Sequence, residues 1–468
     1  MQTPPRTRRH FIKQGLIGTA GAAVGSLGLS ARSYAQVRGA NDRINVAVVG
    51  IRNQGTVHLQ NWCALKDSHN VQVRTLCDVD ERLFAKGAAL VEEKTGVRPA
   101  TEWDLRRVFE DKAIDAVSIV TPNHWHALAT VWACQAGKHV YVEKPASHNI
   151  HEGRKMIEAR DRYKVRMQVG LNNRSSKNVR EAIAFLRSGG IGELYMARAL
   201  CFKARDSYGV AKDGDAPKEL HYDQWLGPAP WRPYSEKRGH YNWHWYWDTG
   251  NGDTGNTGPH QLDIARWGLA KAEHPVSVYS AGGIYGFRTD DATPTPGKRV
   301  YGDVEAYGHD KTTQETPNTQ TATYTYADGT LLEMETRGRY TNHEGSQGQE
   351  VGNLFFGSEG WLEISGSTWK AFRGREREPF AGSKDGEREG SHWANFLQAL
   401  RAGKDDALHG DIVEGHLSTS LCHLANISYR VGRSLKFTGA TERFVDAADA
   451  DALLTRTYRA PYTVPEQV

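Results

Sequence analysis

The chain has 468 residues, 39% of them hydrophobic and 24% charged, and its formal net charge is +4. This composition is typical of a soluble globular protein and excludes the collagen-like, coiled-coil and intrinsically disordered classes. The sequence contains no run of eighteen apolar residues, so it predicts no stable membrane insertion, and its length predicts two domains.

The first 35 residues read as a twin-arginine export signal. "TRRHFIK" (7–13) precedes a weakly apolar run rich in Gly and Ala (15–29), and "SYA" ends at Ala35 in a small-x-small cleavage pattern. We therefore predict export to the periplasm by the twin-arginine machinery; a basic disordered tail or an uncleaved anchor is the alternative. Residues 1–35 hold five basic and no acidic side chains, so their removal changes the formal charge from +4 to −1. A nearly neutral mature chain predicts no nucleic-acid partner.

The five cysteines predict neither a disulfide framework nor a metal site. They are odd in number and far apart, at positions 63, 77, 134, 201 and 422. Their spacing matches no zinc motif, so we expect buried, inert thiols and no bound metal.

Strand-like and helical segments alternate from residue 43 onward. The strand-bearing segments are INVAVVG (44–50), VQVRTLCDVD (71–80), AIDAVSIVTPN (113–123), KHVYVEKP (138–145) and VRMQVG (165–170). Such alternation predicts a doubly wound parallel Rossmann sheet over 43–170, which binds ligands beyond the C-terminal ends of its strands.

The first strand is followed by an imperfect phosphate-binding turn, Gly50-Ile51-Arg52-Asn53-Gln54-Gly55. Arg52 replaces the middle glycine of G-x-G-x-x-G, so the motif is weak by itself. Asp78, after the second strand, is placed to accept hydrogen bonds from the adenosine ribose hydroxyls. This favours NAD over NADP, although NADP stays open. The alternative for Asp78 is a helix N-cap.

Residues 171–440 predict a second domain of α+β type, followed by a C-terminal tail over 441–468. Segments such as "TQTATYTYADGTLLEMETRG" alternate apolar and polar residues, which indicates an open, largely antiparallel sheet. Tryptophans 225, 231, 243, 245 and 247 are concentrated in this half. Trp243 and Trp245 are candidate sugar platforms; packing in a half-buried strand or an oligomer interface is the alternative.

Three motifs together resemble the glucose-fructose oxidoreductase and inositol dehydrogenase family (Gfo/Idh/MocA). They are TPNHWHA (121–127), EKP (143–145) and DTGNTGPHQLDIARW (253–267), and the resemblance extends over about residues 43–440. It implies that Lys144 lies beside the nicotinamide and the substrate hydroxyl, with Pro145 often cis. It further implies a cofactor groove lined by Thr121, Pro122, Asn123 and His126, with Glu143 at the nicotinamide ribose and Asn172 nearby. Arg174 matches an arginine common in this family segment and is a candidate substrate contact; a surface ion pair is its alternative.

The third motif differs from the family pattern at one position. His260 and Asp263 match, but Asn256 stands where the family has an acid four residues before the histidine. His260 is the candidate base, acting alone or supported by Asp248, Asp253 or Asp263. Asp263 itself is expected to be structural. Lys144, His260 and Asn256 are thus the candidate catalytic residues, and Asp253 joins the candidate substrate contacts.

The resemblance predicts an NAD(P)-dependent oxidoreductase acting on a sugar, glycoside or polyol. Because twin-arginine export moves folded proteins, we expect the cofactor to be loaded before export and to remain bound. Two alternatives stay open: an NAD-dependent glycosidase that oxidises its substrate transiently, and a non-catalytic sugar-binding protein on a Rossmann scaffold. Family members often form homo-oligomers, and we expect the same here.

Overall fold

The computed structural model describes residues 42–285, 288–289, 311–338, 341, 344, 350–366, 368–383 and 390–468. The predicted export signal lies outside these residues. Ile44–Val468 form one compact unit. Within the part of the chain described, no helix is both long and apolar enough to cross a membrane.

The N-terminal half contains a six-stranded, entirely parallel sheet, which confirms the predicted Rossmann domain. Its strands are β1 (Ile44–Val49), β2 (Val71–Cys77), β3 (Ala100–Glu102), β4 (Ala116–Ile119), β5 (His139–Val142) and β6 (Met167–Val169), in the order β3-β2-β1-β4-β5-β6. The helices are α1 (Gln54–Ala64), α2 (Lys66–His69), α3 (Phe84–Thr95), α4 (Leu105–Glu110), α5 (Asn123–Gln135) and α6 (Ile150–Tyr163).

Helices cover both faces of this sheet, which explains the nearly continuous apolar strands. In β1, Val46 and Val48 pack into one core cluster, and Ala47 and Val49 pack into another. Capping residues in the sequence mark where some of these helices begin. Asn149, for example, caps α6 by accepting a hydrogen bond from the backbone N–H of Glu152 at 2.9 Å.

The second half contains a ten-stranded sheet. Its strands are β7 (Leu194–Cys201), β8 (Ser277–Gly283), β11 (Thr319–Thr325), β12 (Leu331–Arg337), β13 (Val351–Gly357), β14 (Gly360–Ser365), β15 (Thr368–Arg373), β16 (Glu378–Gly382), β17 (Leu435–Thr438) and β18 (Arg443–Phe444). The order is β16-β15-β14-β13-β7-β12-β11-β8-β17-β18. Among these described strands β7 and β12 form the single parallel pair, which confirms the predicted open, largely antiparallel sheet. A separate parallel pair is formed by β9 (Arg288–Thr289) and β10 (Lys311–Thr312).

Helices pack on one face of this large sheet and also connect it to the Rossmann domain. The helices of this half are α7 (Lys177–Arg187), α8 (Tyr222–Leu226), α9 (Gly252–Asn256), α10 (Gly258–Gly268), α11 (His392–Ala402), α12 (Ile412–Val431) and α13 (Ala448–Asp451). α10 and α12 contribute Leu262 and Leu421 to the core of the sheet. Phe396 of α11 and Tyr462 near the C-terminus instead pack into the Rossmann clusters.

All five cysteines are buried with free thiols, as expected from their spacing. Burial raises the pKa of the Cys63 thiol to about 11 and that of Cys134 to about 12. These thiols therefore stay protonated and inert at neutral pH.

Candidate active site

A cleft of about 450 Å³ lies at the C-terminal ends of the Rossmann strands, where a doubly wound sheet binds its ligands. Segments of the second domain, from Lys203 to His260, form its other wall. Fourteen of the predicted site residues line it: Gly50, Arg52, Asn53, Gln54, Asp78, Thr121, Pro122, Asn123, His126, Glu143, Lys144, Trp243, Asn256 and His260. The cleft therefore brings together residues that are more than 200 positions apart in the sequence.

The turn after β1 requires its two glycines. Gly50 has a φ of 85°, and a Cβ there would lie 2.6 Å from the carbonyl oxygen of Val120. A Cβ on Gly55 would lie 2.1 Å from the carbonyl oxygen of Gly50, so α1 approaches the turn too closely for any side chain. Between them, Arg52 is exposed and lines the cleft, where its guanidinium is able to reach a phosphate.

Asp78 organises this turn in addition to facing the cleft. Its two carboxylate oxygens accept hydrogen bonds from the backbone N–H of Ile51 at 2.9 Å and of Asp80 at 3.0 Å. The helix-cap alternative is wrong, because Asp80 caps the following 3-10 turn. Burial raises the pKa of Asp78 to about 6, against the effect of its two amide donors. Each oxygen keeps lone-pair capacity for a ribose hydroxyl.

Lys144 follows β5 and reaches across the cleft. Its Nζ donates to the backbone oxygen of Asn256 at 2.9 Å and approaches the Asn256 side-chain oxygen at 3.4 Å. The Lys144–Pro145 peptide is cis, as the family resemblance implied. Burial lowers the pKa of Lys144, and the neighbouring Glu143 carboxylate opposes that effect. Lys144 thus presents an ammonium donor held by a carbonyl that a substrate oxygen is able to replace.

Glu143 is buried beside Lys144 and is held by a histidine that the sequence did not reveal. His58 Nε2 donates to Glu143 at 2.9 Å, and Gln54 approaches the same oxygen at 3.4 Å. Burial by itself would raise the pKa of Glu143, but His58 and the charge of Lys144 bring it to about 2. The carboxylate is therefore ionised. The sequence held one indication that His58 lies near the cleft: it follows Gln54 by four residues, which places both on the same face of α1.

His126 and Asn123, at the start of α5, fix the loops around the cleft. The ring nitrogens of His126 lie 2.7 Å from the carbonyl oxygen of Pro145 and 2.8 Å from that of Thr121. Asn123 donates from Nδ2 to the side-chain oxygen of Asn251 at 3.0 Å, which connects the Rossmann domain to the second domain. Burial lowers the pKa of His126, and the hydrogen bonds to the two carbonyl oxygens oppose that effect.

His260 lines the cleft in the first turn of α10 and has no carboxylate partner among the described residues. Its buried Nδ1 makes no hydrogen bond there. The three carboxylates that could support it pair with arginines instead: Asp248 with Arg232, Asp253 with Arg205 and Asp263 with Arg174. Burial, and then the positive charge of Lys144, lower the pKa of His260 to about 4. A neutral imidazole is the state that accepts a proton.

Five predicted site residues lie outside the cleft lining: Gly55, Asn172, Arg174, Trp245 and Asp253. Arg174, predicted as a substrate contact, forms a buried ion pair. Its guanidinium is 6% exposed, donates to Asp263 at 2.8 Å and also binds Glu414. The Nε and Nη2 atoms of Arg174 therefore donate to these two carboxylates. Asp263 is structural, as expected.

Asn172 and Trp245, which also lie outside the cleft lining, contact other parts of the protein. The side-chain oxygen of Asn172 accepts from the Tyr141 hydroxyl at 2.9 Å. Trp245 is 4% exposed and lies in a 3-10 turn over Asn242–Trp245, rather than in the half-buried strand that was one alternative for it. Trp243 does line the cleft and stacks on His244, with ring centroids 3.6 Å apart.

The structure adds cleft residues that the sequence did not single out: Lys203, Arg205, His240, Tyr241 and His244. Lys203 and Arg205 follow β7, His240 and Tyr241 precede the 3-10 turn, and His244 lies within it. Arg205 binds Asp253 at 2.8 Å and lies 4.9 Å above the Trp245 ring. This wall is rich in hydrogen-bond donors and aromatic faces, which are groups that bind polyhydroxylated molecules.

Comparison with known proteins gives the same assignment for both domains. Residues 44–171 match the model of an oxidoreductase family, NAD-binding Rossmann fold, and residues 208–283 and 381–464 match the C-terminal alpha/beta domain of the same family, GFO_IDH_MocA. A glycosyl hydrolase family 109 protein of Shewanella pealeana is 24% identical over 208 residues, which are 41% of this chain and 45% of that protein. A myo-inositol 2-dehydrogenase of Thermotoga maritima is 28% identical over 155 residues, 33% of this chain and 44% of that protein.

These matches span less than half the length of those curated relatives. Among solved structures, the WlbA dehydrogenase from Bordetella pertussis in complex with NADH and UDP-GlcNAcA covers 85% of this chain and 99% of its own. Its TM-score is 0.56 at 20% sequence identity, which shows a shared fold.

Proposed function

The chain belongs to the Gfo/Idh/MocA family of NAD-binding oxidoreductases, and we propose that it moves a hydride between a hydroxyl-bearing carbon of a sugar, glycoside or polyol and NAD. One observation carries the proposal. Lys144 and His260, an ammonium donor and a neutral imidazole, line one cleft beside the buried Glu143 carboxylate. This is the pair of groups that oxidation of an alcohol requires.

The residues present fit a dinucleotide. Gly50 and Gly55 permit the tight turn between β1 and α1, because a Cβ at either would clash with a backbone carbonyl oxygen, and such a turn suits a pyrophosphate. Asp78 keeps acceptor capacity towards the cleft. Arg52 is placed for a phosphate, and Glu143 for the second ribose. When bound, the nicotinamide supplies the hydride acceptor or donor, and the protein supplies position and electrostatics.

His260 would take the hydroxyl proton of the substrate, a role worth about 10²–10⁴ in rate. Lys144 would leave the Asn256 carbonyl and donate to the substrate oxygen as charge develops on it. Before substrate binds, Asn256 orients Lys144 through its backbone and side-chain oxygens. Asn256 would not act as a base, because an amide does not carry the charge of a carboxylate.

A Lys144→Gln variant tests this assignment. With the panel of sugars and polyols that the unaltered enzyme oxidises, kcat should fall at least about 100-fold, while NAD affinity stays within about threefold. Lys112→Gln, at an exposed lysine, is the matched control and should retain full activity. Equal kcat in the two variants would refute the role of Lys144. An unaltered chain that oxidises no sugar or polyol would instead favour the non-catalytic alternative.

A second function is favoured by the relatives named glycosyl hydrolase family 109 proteins. In that chemistry, transient oxidation would promote elimination of the aglycone before re-reduction. Release of a chromogenic phenol from aryl glycosides without net NADH formation would support the glycosidase. Stoichiometric NADH formation from a free sugar would support the dehydrogenase.

We further propose that the chain is exported by the twin-arginine pathway and retains its NAD. The support is the sequence of residues 7–35. Denatured protein, purified from the periplasm, should release about one equivalent of NAD. Empty protein that exchanges NADH freely would refute cofactor retention, and protein found in the cytosol would refute export.

A further inference from the structure

A second cluster of ligand-type side chains is buried outside the cleft. It consists of His274, His416 and Glu442. His416 lies on α12, His274 lies between α10 and β8, and Glu442 lies in the turn between β17 and β18. None of the three lines the candidate active site, and their positions are up to 168 residues apart in the sequence.

The three side chains converge on one point. His416 Nε2 donates to Glu442 Oε1 at 2.6 Å, and His274 Nε2 donates to the same oxygen at 3.0 Å. The ligand atoms all lie within 4.8 Å of one another. The side chains of His416, His274 and Glu442 are 1%, 4% and 10% exposed, so the contacts between them are buried.

More hydrogen-bond donors point at Glu442 Oε1 than that oxygen atom has lone pairs to accept. Arg154 donates to Oε1 of Glu442 as well, through Nη2, and to Oε2 through Nε at 3.1 Å. Oε1 thus faces three donors, although a carboxylate oxygen offers about two lone-pair sites. Both imidazoles also direct Nε2, rather than Nδ1, at this one oxygen.

We propose that His274, His416 and Glu442 bind a divalent cation of the zinc type. Two imidazole nitrogens and one carboxylate oxygen form a ligand set that suits Zn²⁺, with a fourth position left for water. A cavity of about 140 Å³, lined by Glu442, Arg154 and neighbouring residues, adjoins the cluster and has room for that water. The cation would take the place of the two Nε2 protons, which move to the Nδ1 atoms.

The geometry requires a small rearrangement. Ligand atoms about 2.1 Å from a tetrahedral Zn²⁺ lie about 3.4 Å apart, so the contacts of 2.6 and 3.0 Å must open. The Arg154 side chain is 43% exposed, so it is free to leave Oε1 and keep its bond to Oε2. As an outer partner of the carboxylate it would then orient the ligand.

The site would connect α12, the segment before β8 and the turn between β17 and β18, while Arg154 adds α6. A cation held there stabilises the fold, because it binds the folded chain more tightly than the unfolded one. This inference is independent of the proposed hydride chemistry.

The test uses the full folded chain, purified without a histidine tag and freed of metal with a chelator. Calorimetric titration with Zn²⁺ should give about one equivalent with micromolar or tighter affinity, and Mg²⁺ should give no signal. Glu442→Gln and His416→Gln should each weaken Zn²⁺ binding at least about tenfold. His423→Gln, at another buried histidine on α12, is the matched control and should bind as the unaltered chain does.

Absence of Zn²⁺ binding by the folded, unaltered chain would overturn the proposal, as would unchanged affinity in both cluster variants. Co²⁺ loading of the unaltered chain keeps the test decisive if a variant fails to fold. Intense visible bands of tetrahedral Co²⁺ would support the site, and the weak spectrum of hydrated Co²⁺ would overturn it.

Discussion

Replacement of Arg174 separates the two roles that sequence and structure assign to it. Arg174→Ala would leave Asp263 buried at 1% exposure without its main partner. Breaking a buried ion pair in this way costs about 3–5 kcal/mol. Asp263 would keep the Ser418 hydroxyl at 2.7 Å and Arg266 at 3.8 Å, so we expect a loss near the lower end, about 3 kcal/mol.

Equilibrium urea unfolding, followed by tryptophan fluorescence, measures this change as a lower midpoint at an unchanged slope. Arg98→Ala is the control: Arg98 pairs with Glu92 at the surface, with side chains 57% and 47% exposed, so its loss should cost less than about 1 kcal/mol. Sugar KM and NAD Kd of Arg174→Ala should stay within about twofold at 25 °C.

A second change tests the physical cause. Adding Asp263→Asn to Arg174→Ala removes the unpaired buried charge and should restore at least about 1 kcal/mol. If instead Arg174→Ala is as stable as the unaltered chain and its sugar KM rises tenfold, the ion-pair assignment is refuted and the substrate contact is right.

Three other predictions concern the cleft. Gly55→Ala places a Cβ 2.1 Å from the Gly50 oxygen and should weaken NAD binding at least tenfold by calorimetry, whereas Gly214→Ala, with open space around it, should not; equal affinities would contradict the close-packed turn. Because the pKa of His260 is lowered to about 4, kcat/KM should stay level from pH 7 down to about 5 and fall as pH drops through 4; a fall centred near 6.5 would contradict the buried imidazole. Asp78→Asn removes the charge that repels a 2′-phosphate, so the ratio of NADP to NAD affinity should rise about tenfold, and an unchanged ratio would exclude that role.

The strand ends and the short motifs at them could be predicted from the sequence. The places of Lys144 and His260 in the cleft were implied by the family resemblance. Apolar runs rich in valine mark strands covered on both faces, and Gly50 lies in the turn after the first of these strands. These features depend on local spacing, which a linear sequence contains.

The partners of those residues could not be predicted in the same way. His58 and Glu143 are 85 positions apart, and Arg174 and Asp263 are 89 apart. The local pattern does not identify which buried charge pairs with which, because the chain contains many arginines and acidic residues. Trp243 and Trp245 show the same limit: two positions apart, one lines the cleft and the other is packed in the interior.

The sequence by itself therefore determined the Rossmann domain, the antiparallel second sheet and the edge at which the cleft opens, because hydrophobic periodicity and glycine positions are local properties. The tertiary structure decided which titratable side chains lie next to one another. It brought His260 to Lys144 without a supporting carboxylate, gave Glu143 its buried histidine, and converged His274, His416 and Glu442 on one point. Those outcomes follow from long-range packing, because packing fixes how deeply each side chain is buried and how far it lies from other charges. Burial and these distances together set the pKa of each group.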